Sequence, residues 1–299
     1  MEDQKLSPFQ IWMLAARPKT LPAAAAPVIA GTAVAFAEKV FSPGPAAAAL
    51  LGALLIQIGT NFANDVFDYK KGADTSERLG PVRVTQAGLM KSEQVMAGVW
   101  VTFGLAVLVG LYLLAVAGWP VVWIGLFSIL AGIAYTGGPF PLGYNGLGDI
   151  FVFIFFGLVA VCGTYFVQAR TVSAGAIWVA IPMGLLATAI LVVNNLRDIE
   201  TDTNAGKKTL AVRFGVNGAR IEYDLMVGGA LLCPLLMWLT GYASPWVLLT
   251  LLTLYRAIPL IKLIYNEKGR ALNKGLAGTG RLELEFAILL AIGLVMGSS

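Results

Sequence analysis

Apolar residues run through this chain in long stretches that are separated by short polar segments. Several of these stretches are long enough to cross about 30 Å of hydrocarbon as helices. We therefore predict an all-α integral membrane protein that forms one transmembrane domain over residues 1–299. The nine predicted helices lie near residues 20–37, 46–63, 95–117, 119–135, 146–168, 175–195, 225–240, 246–265 and 282–297.

A first polar stretch, NFANDVFDYKKGAD (61–74), interrupts this pattern at the end of the second span. If the helix continues to Tyr69, its polar side chains fall within an arc of roughly 100°. Polar residues inside a span are costly and indicate a functional site. The residues on this arc, which begins one turn earlier, are Gln57, Asn61, Asn64, Asp65 and Asp68.

A second polar stretch, NNLRDIETDTNAGKKTLAVR (194–213), follows the sixth span. Its acidic face carries Asn194, Asp198 and Asp202 at helical spacing. Mg²⁺ prefers a few carboxylates together with substrate phosphates, and Lys and Arg neutralise phosphate oxygens. The pattern therefore indicates a metal-bridged diphosphate site, with the cations Lys207, Lys208 and Arg213 beside it.

Composition supports the membrane assignment and narrows the chemistry. Apolar residues make up 58% of the chain and charged residues 13%, against about 25% charged residues in soluble domains. There is no histidine, which leaves carboxylates, Tyr and Lys for acid–base work. Cys162 and Cys233 lie inside apolar spans, where we expect them to behave as small hydrophobic residues.

The positive charge is distributed unevenly between the two ends of the spans. Eighteen of the 21 Lys and Arg residues lie before the first span or in the connections after spans two, six and eight. The positive-inside rule places the N-terminus and both acidic stretches in the cytoplasm. Part of the basic excess thus reflects topology, and we expect contact with membrane lipid and no nucleic-acid partner.

Several further residues have two interpretations each. Arg17, at the entry of the first span, is either an interfacial anchor or a pocket residue. Arg83, in GPVRVTQAG, is either a surface residue or turns back toward a phosphate. Asp149 is either a helix cap or a carboxylate that orients or deprotonates a phenol. Arg256, near the middle of a span, needs a partner, and the loop 267–280 is expected to be flexible.

Five segments together resemble the UbiA superfamily of intramembrane aromatic prenyltransferases over essentially the whole chain. They are ARPKTLPA, NFANDVFDYKKGAD, GPVRVTQAG, YTGGPFPLGYNGLGD and NNLRDIETDTNAGKKTLAVRFG. The first superfamily signature, N-x-x-x-D-x-x-x-D, matches Asn64 and Asp68, but its last acid is replaced by Gly72 and an acid follows at Asp74. The second signature matches Asn194, Asp198 and Asp202.

The resemblance is strongest to the branch that prenylates 1,4-dihydroxy-2-naphthoate during menaquinone synthesis in the bacterial plasma membrane. It implies nine helices around a central cavity open to lipid, two Mg²⁺ ions and a prenyl diphosphate donor. The residues that it implies are Asn64, Asp65, Asp68, Asn194, Asp198 and Asp202 for metal; Arg83, Lys207, Lys208 and Arg213 for diphosphate; and Tyr135 and Asp149 for catalysis. Gln57, Asn61, Asp74 and Arg17 are additional pocket candidates.

Two alternatives remain open at the level of sequence. One is a related enzyme that uses another aromatic acceptor, such as 4-hydroxybenzoate, homogentisate or a chlorophyllide, or a phytyl donor. The other is an ion-coupled transporter, whose acids are expected near the bilayer midplane on broken helices. Here the acids lie at helix ends beside basic loops, which favours the enzyme.

Overall fold

The computed structural model describes residues 6–72 and 79–298, and every regular element within them is helical. Each of the nine predicted spans falls on one of these helices. Seven helices, counting Pro8–Ala37 as one, are long and apolar enough to cross a membrane, which supports a multi-pass membrane protein. The elements are α1 (Pro8–Ala16), α2 (Leu21–Ala37), α3 (Pro43–Lys70), α4 (Ser92–Ala117), α5 (Pro120–Ala134), α6 (Gly148–Ala169), α7 (Ala174–Arg197), α8 (Ile199–Asn204), α9 (Leu210–Leu239), α10 (Pro245–Asn266) and α11 (Leu272–Gly297).

Two predicted spans, α5 and α11, are not among these seven helices. The 15 residues of α5 give a helix of about 22 Å. Helix α11 begins at Leu272, so the prediction of a flexible loop over residues 267–280 is wrong. Buried Leu272 and Gly275 explain the difference, because Gly275 packs closely against Ile264 of α10. Tertiary contacts, which local polarity does not report, extend this helix.

The seventh span also begins much earlier than predicted. Helix α9 begins at Leu210, whereas the apolar stretch alone predicted a start near residue 225. Its polar first half buries Ala211, Ala219 and Tyr223, so one face of this extension packs against the protein. The backbone departs from helical geometry at Gly215, whose φ of 71° is favourable for glycine.

Helices α6 and α7 approach each other closely where two glycines face. A side-chain carbon on Gly157 would lie 2.7 Å from the Cα of Gly184, so no larger residue fits there without movement. Around Gly157, residues Phe153–Val159 form a π-helical segment, a geometry that is frequent at functional sites. Phe155 and Phe156 of this segment line a cavity among helices α2 to α6.

Arg256 has its partner on the neighbouring helix. Its guanidinium donates to both carboxylate oxygens of Glu285 in α11, through Nε at 2.7 Å and Nη2 at 2.6 Å. A bidentate ion pair satisfies a charge that would be costly alone within a span. Cys162 and Cys233 are both free, as the sequence predicts.

Candidate functional site

A cavity of about 340 Å³ lies among helices α2 to α6. Most of its lining is aliphatic or aromatic, but Gln57, Asn61, Asn64 and Tyr135 contribute polar groups. On α3 the lining runs from Ala49 to Asn64, which corresponds to about 22 Å along the helix. The cavity is therefore a long apolar space, with polar side chains where α3 approaches the acidic stretch.

Asp68 joins α3 to two separate parts of the chain. Arg83 donates from Nη2 to Asp68 Oδ2 at 2.7 Å, and the hydroxyl of Tyr144 donates to Oδ1 at 2.6 Å. Asp68 is 4% exposed and Arg83 5% exposed. The surface interpretation of Arg83 is therefore wrong, because its loop folds back onto the acidic face of α3.

Asp65 has a different environment from the one expected of a metal ligand. Its Oδ2 and Oδ1 accept from the backbone amides of Val84 and Thr85, each at 3.1 Å. Arg17 Nη2 lies 3.9 Å from Asp65 Oδ2, so Arg17 is directed into the site. Because Asp65 holds the loop that carries Arg83, we propose a positioning role for it, and its role as a metal ligand stays a prediction.

The second acidic stretch is not one continuous helix. Helix α7 ends at Arg197, Asp198 lies at the junction, and α8 begins at Ile199. The buried guanidinium of Arg197 donates to both oxygens of Asp198, through Nε and Nη2, and also to Asn194 Oδ1 at 2.8 Å. Arg197 thus fixes the orientation of two residues of the second signature.

Asp202 connects this stretch to the first one. Lys207 Nζ lies 2.8 Å from Asp202 Oδ1 and 4.7 Å from the centre of the Tyr144 ring. The pKa of the Asp202 carboxyl is raised above its usual value, mainly by burial; Asp198 and Asp68 also raise it, whereas Lys207 lowers it. Asp202 therefore senses the charge of both Asp198 and Asp68, and Tyr144 lies between Asp68 and Lys207.

Two predicted diphosphate ligands have other contacts. The backbone amide of Lys208 donates to the carbonyl of Tyr144 at 2.7 Å, and the Lys208 side chain is exposed. Arg213 is exposed and donates to the carbonyls of Lys208 and Asn145, at 3.0 and 2.9 Å. Both residues hold the segment around Tyr144, so we propose that they support the site through this segment; their direct contact with a diphosphate stays a prediction.

The remaining polar residues of α3 hold neighbouring segments. Asn61 donates to the carbonyl of Ala16 and, at 3.0 Å, to the hydroxyl of Thr20, which also accepts a long contact of 3.4 Å from Gln57. Asn64 Oδ1 accepts from the hydroxyl of Thr136 at 2.8 Å. Asp74 lies outside the described residues.

Tyr135 and Asp149 lie close together beside the cavity. A side-chain carbon on Gly148 would lie 3.1 Å from the Tyr135 hydroxyl, which places this phenol against the first turn of α6. Tyr135 also lines the cavity, so its hydroxyl can donate a hydrogen bond to a molecule bound there.

Asp149 is the second residue of α6 and not its cap. It is 6% exposed, and within the described residues its Oδ1 has no hydrogen-bond partner. A buried carboxylate oxygen without a partner is energetically costly. This observation favours the interpretation of Asp149 as a group that receives a substrate hydroxyl.

Sequence reasoning missed four residues that organise the site. Tyr144, Arg197 and Asn273 contact the acidic stretches or their immediate partners, and Lys71 Nζ donates to the carbonyls of Thr136 and Gly138. Tyr144 belongs to a Gly/Pro-rich segment that lacks Lys and Arg, and Arg197 lies within the second signature. These two sequence features could have identified Tyr144 and Arg197, whereas no local feature of the sequence distinguished Asn273.

The donor chemistry of the site fits Mg²⁺. Asp68, Asp198 and Asp202 supply carboxylate oxygens, and Asn64 and Asn194 supply amide oxygens, which are the hard ligands that this ion prefers. Within residues 6–72 and 79–298, no three acidic, histidine or cysteine side chains form a ready-made metal cluster. Mg²⁺ commonly takes part of its ligands from substrate phosphates and water.

Solved structures share this fold. A UbiA homolog from Archaeoglobus fulgidus bound to GPP and Mg²⁺ aligns with a TM-score of 0.68 at 16% identity, covering 96% of this chain and 99% of that one. The same homolog bound to DMAPP and Mg²⁺ aligns with a TM-score of 0.67 at 15% identity, covering 95% and 99%. At these identities the likeness establishes the fold.

Sequence relatives cover almost the whole chain. The 1,4-dihydroxy-2-naphthoate octaprenyltransferase of Escherichia coli (strain K12) is 42% identical over 87% of this chain and 85% of the relative. The protein of that name from Bacillus subtilis (strain 168) is 33% identical over 98% and 94%. Residues 24–276 match the UbiA prenyltransferase family model. The chain therefore belongs to the UbiA prenyltransferase family.

Proposed function

We propose that this protein transfers a polyprenyl group from a polyprenyl diphosphate to 1,4-dihydroxy-2-naphthoate with loss of CO₂, a step of menaquinone synthesis. The observation that carries this proposal is the convergence of three carboxylate–cation pairs beside a long apolar cavity: Asp68–Arg83, Asp198–Arg197 and Asp202–Lys207. The names of relatives at 33–42% identity support the naphthoate acceptor. Family membership favours an enzyme over the transporter alternative.

At the diphosphate end, we assign Asp68, Asp198 and Asp202, with Asn64 and Asn194, to Mg²⁺. When bound, Mg²⁺ supplies positive charge that stabilises the departing diphosphate. Arg83 lies 2.7 Å from Asp68, and Lys207 lies 2.8 Å from Asp202. The guanidinium and ammonium groups can donate hydrogen bonds to phosphate oxygens bound beside these carboxylates. Homologs bound to GPP or DMAPP with Mg²⁺ support the metal assignment.

At the acceptor end, the chain orients the naphthoate and excludes water. The bond from prenyl C1 to the diphosphate oxygen breaks with its electron pair on oxygen, and a ring carbon forms the new bond to C1. The carboxylate then leaves as CO₂ and its bonding electrons stay on the ring; any proton displaced from the carbon that forms the new bond passes to the ring carbon that CO₂ leaves. Asp149 Oδ1 accepts from a naphthol hydroxyl, Tyr135 donates a hydrogen bond, and the apolar cavity limits capture of the prenyl group by water.

The test is turnover by the purified protein in lipid nanodiscs with Mg²⁺ and geranyl, farnesyl or octaprenyl diphosphate. We expect a prenylated naphthol and CO₂ from 1,4-dihydroxy-2-naphthoate, and loss of both with EDTA. Asp149→Asn should lower turnover about 10²-fold or more, as for other acid–base groups. Product only with 4-hydroxybenzoate or homogentisate would contradict the acceptor, whereas EDTA-resistant turnover would contradict the metal.

We also propose that residues 1–299 act as a single transmembrane domain in the bacterial plasma membrane, with a cytoplasmic N-terminus. The support is the family match over residues 24–276 and the concentration of basic residues on one side. In a variant without Cys162 and Cys233, an impermeant maleimide applied to intact cells should label Thr171→Cys and spare Ser7→Cys. Labelling of Ser7→Cys alone would reverse the proposed orientation.

A further inference from the structure

Asn273, in the first turn of α11, contacts two distant parts of the chain through its side-chain amide. Its Oδ1 accepts from Arg197 Nη1 at 2.8 Å, and its Nδ2 donates to the carbonyl of Leu79 at 2.9 Å. These partners lie 76 and 194 positions away in the sequence. One side chain therefore joins the second acidic stretch to the connection after α3.

The contact from Asn273 to Arg197 also affects Asp198 and Asn194, because Arg197 donates hydrogen bonds to both. The side chain of Arg197 has no exposed surface, and its other donors go to Asp198 and Asn194. A guanidinium is a rigid planar fork, so an acceptor at Nη1 fixes the plane in which Nε and Nη2 point. Asn273 thus controls the orientation of two side chains that we assign to metal.

The contact to Leu79 acts on the other half of the site. Leu79 precedes Arg83 by four residues, and Arg83 donates to Asp68. The loop is anchored at its far side by Asp65, which accepts from Val84 and Thr85. Asn273 provides the anchor at its near side, so the position of Arg83 depends on hydrogen bonds at both ends of this short segment.

Helix formation does not require an asparagine at this position. Asparagine near a helix start usually accepts from the backbone of its own helix, but Ala271 is the N-cap residue here, and no side-chain capping bond is present at this end. Both side-chain hydrogen bonds of Asn273 to described residues go outside α11, to Arg197 and Leu79. The arrangement is that of an outer residue which orients metal ligands.

We infer that Asn273 is a positioning residue of the active site, which orients Asn194 and Asp198 through Arg197 and holds the Arg83 loop through Leu79. This inference rests on the proposed function, because it requires that Asp198 binds metal. Asn273 belongs to the N-terminal part of α11, where the sequence pattern predicted a basic loop.

The test uses Mn²⁺ as a paramagnetic probe, titrated in the presence of inorganic pyrophosphate and followed by electron paramagnetic resonance. We expect Asn273→Ala to weaken Mn²⁺ binding about 10-fold, within the range typical of residues that orient metal ligands. Asn266→Ala is the matched control, because it makes the same change at the exposed last residue of α10. A thermal unfolding scan checks that both variants are folded.

Asn273→Asp is the second variant, because it keeps an oxygen acceptor for Arg197 and loses the donor to Leu79. It should retain more Mn²⁺ affinity than Asn273→Ala. Wild-type affinity in Asn273→Ala, or equal losses in the alanine and aspartate variants, would overturn the inference. Asp198→Asn separates the two proposals: if it binds Mn²⁺ normally, the metal assignment itself fails, whereas its loss beside a normal Asn273→Ala rejects only the positioning role.

Discussion

Replacing Asp198 with asparagine is expected to lower turnover at least about 10³-fold, and Asp68→Asn should have a similar effect. Metal stabilisation of developing charge is worth several kcal/mol, and each 1.36 kcal/mol corresponds to a tenfold change in rate. Asparagine keeps the shape of the side chain and one oxygen acceptor, but it removes the negative charge that attracts the ion.

Asparagine is a better choice here than alanine because both carboxylates have buried cationic partners. The Arg197 side chain is fully buried against Asp198, and Arg83 is 5% exposed beside Asp68. Both substitutions leave the cation without its opposite charge, and removing one member of a buried pair costs about 3–5 kcal/mol of stability. Asparagine still offers the cation an oxygen acceptor, so it limits the loss of folding that would be confused with loss of catalysis. The structure therefore changes the design of the experiment.

Turnover with saturating Mg²⁺ and prenyl diphosphate, together with a thermal unfolding scan, measures this prediction. Asp224→Asn is the matched control, since Asp224 pairs with Tyr265 on α9 and α10, outside the site. Near wild-type turnover of either Asp68→Asn or Asp198→Asn would remove that residue from the metal ligands. Loss of activity in Asp224→Asn as well would indicate a general effect on the fold.

Arg83→Gln is expected to reduce kcat/KM for the prenyl diphosphate by about 10²–10³-fold, the usual effect of removing one preorganised donor to developing negative charge. The substitution removes a buried cation from the acidic site and leaves Asp68 without its 2.7 Å partner. Arg83→Lys should recover only part of the loss, because lysine lacks the planar fork of the guanidinium.

Arg213→Gln is the comparison that separates sequence-based from structure-based expectations. The sequence pattern groups Arg213 with the diphosphate ligands, but its exposed guanidinium donates to two backbone carbonyls. We expect a smaller loss of kcat/KM than in Arg83→Gln, and little change in inhibition by inorganic pyrophosphate with Mg²⁺. A larger loss in Arg213→Gln than in Arg83→Gln would contradict this assignment.

The sequence predicted the nine spans well but placed several boundaries inaccurately. Apolar length identifies the part of a helix that lies in hydrocarbon, because exposed polar groups are costly there. It does not identify polar extensions such as the first half of α9 and the N-terminal part of α11, which are held by buried residues on one face. It also did not predict α1, a helix of only nine residues.

Within the site, helical spacing was informative for α3 and less so for the second stretch. The helix continues to Lys70, and three of the four polar residues from Asn61 to Asp68 are buried. Their tasks differ, however, because Asn61 and Asp65 hold other segments, whereas Asp68 contacts Arg83 and Tyr144. The break at Asp198 was not predicted, since no proline or glycine marks it.

The sequence by itself determined the membrane class, the family and the two acidic stretches, because these depend on local apolar length, charge and residue spacing. Only the tertiary structure decided which cation pairs with which carboxylate, that Tyr144 lies between Asp68 and Lys207, and that Asn273 joins Arg197 to Leu79. Such contacts depend on the packing of helices far apart in the chain. Spacing along one helix carries no information about the partner that another helix brings to it.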